Sequence, residues 1–373
     1  YIDEIVKEIQ SILSPQIHMQ IAYHMITYCI VTKVGYLSRV TPPSICSEAL
    51  SYFNEQVIDL FIKKMDLPSF LLSSFQLTSN TYQSLPNTYR TYTPSFSLSS
   101  SSSSSSSTVK TLQQLISLKS IIRKQIQLST NTSGCGIRDV SLYSPVAYFA
   151  SFCLAHSDPW FPQNFILPIN IINEIVSIRN NLNKTYNEIK KDQLLGHENT
   201  ESIGTCKRML ESMKTNGSKL NLLVSTHYQK KLSQYINTHK YNNLYIEAEK
   251  YNNIYHDNSF LVVLQCQKNP ISGLPLSTIP HHSSYQLSDH EMSQHIRHRS
   301  NLPPHDNISS HCHTCSLPLS TLNLKTHHHK SCKPHFRNDI TQRHNIIVNT
   351  LAKTGNHSKT KRKTTKGKRK RKQ

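Results

Sequence analysis

Nine consecutive serines, Ser99–Ser107, end a stretch that begins near residue 68 and is rich in Ser, Thr, Tyr, Asn and Pro. Such a segment cannot bury enough apolar surface to offset the entropy lost on ordering it, so 68–108 is expected to be a disordered insertion or linker. No continuous hydrophobic core can run through it, and folded parts must be sought on either side. The whole chain of 373 residues is 36% hydrophobic, so a core is expected only locally.

Before that stretch, Ile2, Ile5, Val6, Ile9, Ile12 and Leu13 recur at the spacing of an amphipathic helix. Ser14-Pro15 ends it, with Pro15 suited to open the next helix, expected from about Gln16 to Thr32 and apolar enough on most faces to be buried. Thr41-Pro42-Pro43-Ser44 reads as a break, with Ser44 a suitable N-cap. A third helix follows, placing Leu50, Phe53, Val57, Leu60 and Phe61 on one face. The fold class is therefore mainly α, a helical bundle over 1–67.

After the serines, 109–265 reads as a helical region. It opens with a basic helix at Leu112–Leu128, then a glycine-marked turn at Gly134-Cys135-Gly136-Ile137-Arg138. A helix at Ser144–Ala155 follows, with Pro145 in its first turn, then several Asn/Lys-diluted helices and a short strand at Phe260–Leu264. Tyr241, Tyr245, Tyr251 and Tyr255, in pairs four apart, read as core packing rather than base stacking. A His/Pro-rich linker is expected over 266–311, with one short helix at about Asp289–Arg299. A compact Cys/His unit with a last helix fills 312–352, and 353–373 is a disordered basic tail.

Six of the nine cysteines are scattered singly, and most read as buried thiols in a reducing compartment. The other three form Cys312-x2-Cys315-x11-His327-His328-His329-x2-Cys332. A Cys-x2-Cys turn presents two thiolates from one loop, and a His and a Cys about one helical turn apart supply two more donors, which is what tetrahedral zinc requires. His328 with Cys332 meets the spacing best; His327 and His329 remain alternatives, and His311, His313 and His335 lie nearby. Four protein ligands leave no open position, so the zinc is expected to be structural.

The net charge of +20 sets up a field that attracts polyanions, nucleic acid foremost. Lys359, Lys361, Arg362 and Lys363, then Lys366 through Lys372, form a tail suited to phosphate contact or nuclear import, and no carboxylate side chain follows Asp339. No run of about 20 apolar residues is present, so no membrane partner is expected. No Asp-Asp dipeptide and no Gly-x4-Gly-Lys loop occurs, and Glu188-Ile189-Lys190 reads as a surface charge pair, so no catalytic residue is assigned. A helical pattern that starts at once from Tyr1, with no signal-peptide core, reads as a cut in a longer chain.

Several stretches fall in an order that resembles one family. Tyr36-Leu37-Ser38-Arg39-Val40-Thr41-Pro42-Pro43 stands where that family has "yllR-x-x-p-p". Gln125–Leu128, Gly134–Arg138 and Ser144-Pro145-Val146-Ala147-Tyr148-Phe149-Ala150-Ser151 resemble its "Q-x-x-l-p-x-x-x-G-G-l-G-l-R…sp-a-A-y-l-a-s" passage, with the glycine pair reduced to Ser133-Gly134. Leu287-Ser288-Asp289-His290-Glu291-Met292 and Ile296–Arg299 resemble "l-s-d-x-e-f…lR-x-R"; then come the Cys-x2-Cys, the His-x3-Cys and Arg343-His344-Asn345. The chain thus resembles the C-terminal part of non-LTR retrotransposon reverse transcriptases, of the subgroup with a zinc knuckle and a restriction-like endonuclease. The resemblance implies a thumb-like helical bundle and a knuckle that hold template RNA or target DNA. It places the polymerase palm, with its Mg-binding aspartates, before Tyr1 in the intact parent; after Arg343-His344-Asn345, where the family continues into a nuclease core, this chain departs and gives way at Gly355 to the basic tail.

The expected function is nucleic-acid binding in the nucleus, without independent catalysis. The expected contacts are Arg39, Arg123, Lys124, Arg138, Arg297, Arg299, Arg343 and His344, with Lys361, Arg362, Lys363, Lys368, Arg369, Lys370, Arg371 and Lys372 of the tail, which also fits a nuclear-import receptor. The competing reading is an unrelated zinc-dependent nuclear DNA- or RNA-binding regulator, and behind it an enzyme with dispersed carboxylates. The Cys/His spacing predicts a single zinc ion per chain, lost on Cys312→Ser or Cys315→Ser. Elemental analysis of the purified chain checks this, and a zinc content that both substitutions leave intact rules the site out.

Overall fold

The computed structural model describes residues 2–76, 104–156, 168–192, 214–216, 219–221, 228–255, 258–268 and 286–302, with Gly273, Leu276 and Ile279. The Cys/His cluster, Arg343, His344, the helix expected after them, the basic tail and residues 77–103 of the expected linker lie outside the described residues. Contacts divide the chain into two units, and every described residue belongs to the first, Tyr1–Leu85 with Phe96–Pro304.

That unit is helical. Helix α1 (Ile2–Ser11) buries Ile5, Val6 and Ile9, as its stripe predicts. Helix α2 (Met19–His24) runs through a π-helical segment (Met25–Ile30) into α3 (Val31–Val40). It starts later than expected, because the His18 Nδ1 caps Gln20 N–H at 3.3 Å and Pro15 stays outside. This rod is not buried on most faces: Ile21 and Tyr28 are each 48% exposed and Tyr36 is 68% exposed. Helix α4 (Pro43–Lys64) carries Pro43 at its first position and Pro42 as its cap, which corrects the expectation for Ser44. Its predicted face, Leu50, Phe53, Val57, Leu60 and Phe61, is buried.

Residues 68–72 are packed rather than disordered: a 3-10 turn (Ser69–Leu71) buries Phe70 and Leu71. Asp59 accepts from the Ser73 N–H at 2.9 Å, and Lys119 Nζ donates to the Leu72 carbonyl at 2.6 Å, so this strap is fastened at both sides. Helix α5 (Ser104–Ile126) begins within the serine run. Helix α6 (Val140–His156) starts before Ser144, because the Asp139 carboxylate accepts from the Leu142 N–H at 3.2 Å and caps it. Pro145 therefore sits inside the helix.

Helices α7 (Ile169–Asp192), α8 (Tyr228–Tyr255), α9 (Ser259–Gln267) and α10 (Asp289–Arg299) complete the unit, with a small hairpin, β1 (Lys214–Asn216) against β2 (Lys219–Asn221), antiparallel with Thr215 opposite Leu220. The strand expected at Phe260–Leu264 is helical: Phe260, Val263 and Leu264 recur at helical spacing and are all buried. The hairpin was not anticipated, although Asn216-Gly217 is a turn signal. Val146, Phe149 and Cys153 of α6 meet Ile175 and Ile178 of α7 and Leu232 and Ile236 of α8 in one core cluster. Tyr241 and Tyr251 are buried, and the Tyr251–Tyr255 rings sit 4.8 Å apart, so these tyrosines pack as predicted.

Helix α10 matches its expected span. Ser288 and Glu291 form a reciprocal capping box, and Asn301, at φ 54°, ends the helix in the left-handed region, with Leu302 N–H reaching the Arg297 carbonyl at 2.8 Å. Asp66, at φ 52°, ends α4 in the same way. The His295 imidazole is largely buried on α10, with its Nε2 atom lacking a hydrogen bond. Burial first, and then the Arg299 guanidinium, push its pKa down to about 4. The unfolded chain therefore binds a proton that the folded one refuses as pH falls from 6.5 towards 4, and the stability this group contributes is full above that window and lost within it. His295→Leu is expected to flatten the fall in thermal midpoint across that range, and melting curves against pH check it.

Candidate nucleic-acid interface

A turn between α5 and α6, Ser129–Arg138, is held open by hydrogen bonds to its own backbone. Arg299 of α10 reaches into it: Nε donates to the Gly134 carbonyl at 2.6 Å, and Nη2 to that of Thr130. Gln125 Nε2 donates to the Arg299 carbonyl at 2.7 Å and to the Ser133 carbonyl at 3.3 Å. Ser133 Oγ donates to the Leu264 carbonyl at 2.6 Å, and Tyr23 Oη to that of Cys135 at 2.9 Å. Gly134 is obligatory, because a Cβ there would lie 2.0 Å from the Leu128 carbonyl oxygen, and Gly136 adopts φ +77°.

The turn forms one wall of a groove of about 470 Å³. The opposite wall is the α2–α3 rod, which contributes Tyr28, Thr32, Gly35, Tyr36 and Arg39 from consecutive turns of one face. Arg138, Val140 and Tyr143 close it from the start of α6, and Gln229 and Ser233 from α8. Arg39 and Arg138 are exposed and line this groove together, while no carboxylate does. The adjacent Asp139 is engaged elsewhere: it accepts from Asn54 Nδ2 at 2.5 Å and pairs with Lys240 at 3.4 Å. The groove thus keeps an unneutralised positive charge beside four tyrosine rings and several hydroxyls.

Among the described residues, the other arginines expected to touch nucleic acid are engaged within the fold. Arg297 is 3% exposed and donates to the Asp66 carbonyl at 3.1 Å through Nε, closing the end of α4. Arg299 is 2% exposed, and burial works against its charge; the carbonyls it meets compensate. Arg123 is paired with Asp59 at 2.7 Å and Glu55 at 2.5 Å and donates to the Leu71 carbonyl. These three guanidinium groups are engaged inside the fold, which sets them apart from the exposed Arg39 and Arg138. Lys124 is half exposed and paired with Glu247 at 2.5 Å.

Gly35 and the Tyr28–Thr32–Tyr36 face escaped the sequence reading, which took the rod's start as buried. The i, i+4, i+8 spacing of these three was the available signal. Of the thiols, Cys46, Cys135 and Cys153 are buried as expected, whereas Cys29 and Cys266 are exposed. Burial pushes the Cys135 thiol up to about 11 and that of Cys153 to about 12, so both stay protonated and unreactive near neutrality. Among the described residues no group of three His, Cys, Asp or Glu is placed to hold a metal, and no helix is long and apolar enough to cross a membrane.

Arg299→Met leaves the buried Gly134 carbonyl and the part-buried Thr130 carbonyl without their charged donor. It is expected to destabilise the chain by about 3 kcal/mol, from the loss of charge-assisted hydrogen bonds. Arg39→Ala is expected to leave stability within about 0.5 kcal/mol, as for an unpaired surface side chain. Denaturant titrations of both variants check the contrast.

No family profile, curated protein or solved structure matches this chain.

Proposed function

We propose that this chain binds nucleic acid through the Arg39–Arg138 groove, as the thumb-and-knuckle part of a retroelement reverse transcriptase. The observation that carries the reading is the groove itself: two exposed arginines face one concavity that holds no carboxylate. Phosphate attraction needs such a surplus, and a surrounding ion-pair network would cancel it. The retroelement assignment rests on the order of sequence motifs. It is also supported by their packing, since the Tyr36–Pro43, Gly134–Arg138 and Leu287–Arg299 stretches belong to one folded unit, joined by the Arg299 hydrogen bonds and the shared groove.

In this reading Cys312, Cys315, His328 and Cys332 hold a structural zinc, whose two-turn donor set of thiolates and imidazole suits that ion. The basic tail adds sequence-independent phosphate contacts and directs the chain to the nucleus. Mg belongs to the palm of the intact parent. An open reading frame encoding a Tyr-x-Asp-Asp palm upstream of Tyr1 is the expected genomic context; a start codon there without a palm favours a zinc-dependent regulator instead.

The binding test is the salt dependence of affinity for labelled RNA and DNA, read by fluorescence anisotropy. Each phosphate contact contributes about 0.7–0.9 to the slope of log affinity against log salt. The double variant Arg39→Ala/Arg138→Ala is expected to lower that slope by about 1.4–1.8, and an unchanged slope refutes the groove as the interface.

A further inference from the structure

Gly35 stands at the middle of α3, where glycine is the least favourable choice short of proline. Gly134, Gly136 and Gly273 each have a packing reason, with atoms of Leu128 or Thr130 within 3.1 Å of a hypothetical Cβ. Gly35 has none: a Cβ there meets nothing within 4 Å. It lies instead on the rod wall of the groove, where the lack of a side chain leaves a bare floor, one residue before Tyr36 and one helical turn before Arg39. An open floor, an exposed ring beside it and arginines on both walls match the needs of an unpaired base with its flanking phosphates. A base inside a duplex has its faces covered by its neighbours and cannot use the ring. The groove, at about 470 Å³, is of the size of small-ligand pockets and admits a nucleotide or two.

We infer that the groove takes unpaired nucleotides of a single strand, with Gly35 keeping the floor clear for a base, Tyr36 stacking on it, and Arg39 and Arg138 holding the phosphates on either side. This deepens the nucleic-acid reading above and rests on it. The hydroxyls of Thr32 and Thr27 are already turned back onto carbonyls of their own helix, at 2.6 and 2.8 Å. They therefore supply no fixed donor for a base edge, and the site should be tolerant of sequence.

The test uses the full chain with labelled oligouridine and a blunt hairpin duplex closed by a polyether linker in place of loop nucleotides, of equal phosphate number, in salt high enough to suppress the tail's attraction. Gly35→Phe, which fills the floor, and Tyr36→Ala are each expected to weaken oligouridine binding about ten-fold, while Tyr36→Phe retains it and the hairpin is unaffected. Thermal melting shows whether Gly35→Phe folds; Tyr36→Ala carries the test alone if it does not. Oligouridine affinity unchanged in the folded variants, or an equal loss for the hairpin, overturns the inference. If the Arg39/Arg138 variant alone weakens binding, the interface stands and the unpaired-base assignment falls. If none of the variants matters, both fall.

Discussion

The guanidinium of Arg299 inside the Ser129–Arg138 turn is the contact on which the rest of this unit depends. Backbone carbonyls in a buried turn must find donors, and here one side chain from 165 residues away serves Gly134 while also reaching Thr130. Because Gln125 of α5 holds the Arg299 carbonyl and the turn at the same time, α5, α10 and the turn form one polar knot. Tyr23 ties the α2–α3 rod to it through the Cys135 carbonyl. The knot therefore fixes the distance between the two walls of the groove, since Tyr23 belongs to one and Gly136 to the other.

The positive charge of the chain serves two separate ends. Arg297, Arg299, Lys64 and Lys119 donate to backbone carbonyls at helix ends and straps, where their charge closes the fold. Arg123 does the same within a carboxylate pair. Arg39 and Arg138 instead face the groove. A count of basic residues cannot separate these groups, because each looks alike in sequence. The separation comes from which of them meet a carbonyl or carboxylate once the helices pack.

Local pattern carried much of the fold. The apolar stripes of α1 and α4, the tyrosine spacing of α8 and the span of α10 are properties of neighbouring residues, and all appear where expected. The misreadings share a cause. Phe260–Leu264 was too short an apolar run for its period to decide, and packing against α8 made it helical. Phe70 and Leu71 sat in a polar stretch, but Asp59 and Lys119 fasten them from outside it. The rod's apolar look hid Tyr28 and Tyr36, whose exposure follows from what does not pack against them.

By itself the sequence determined that the described unit is built of helices, where most of them run, and that the chain is strongly basic, because periodicity, capping and charge are local properties. Only the tertiary structure decided which arginines are structural and which face solvent. It also decided that Gly35 borders open space in the groove rather than relieving a close contact. Both depend on atoms brought together from distant segments, and no spacing along the chain encodes them.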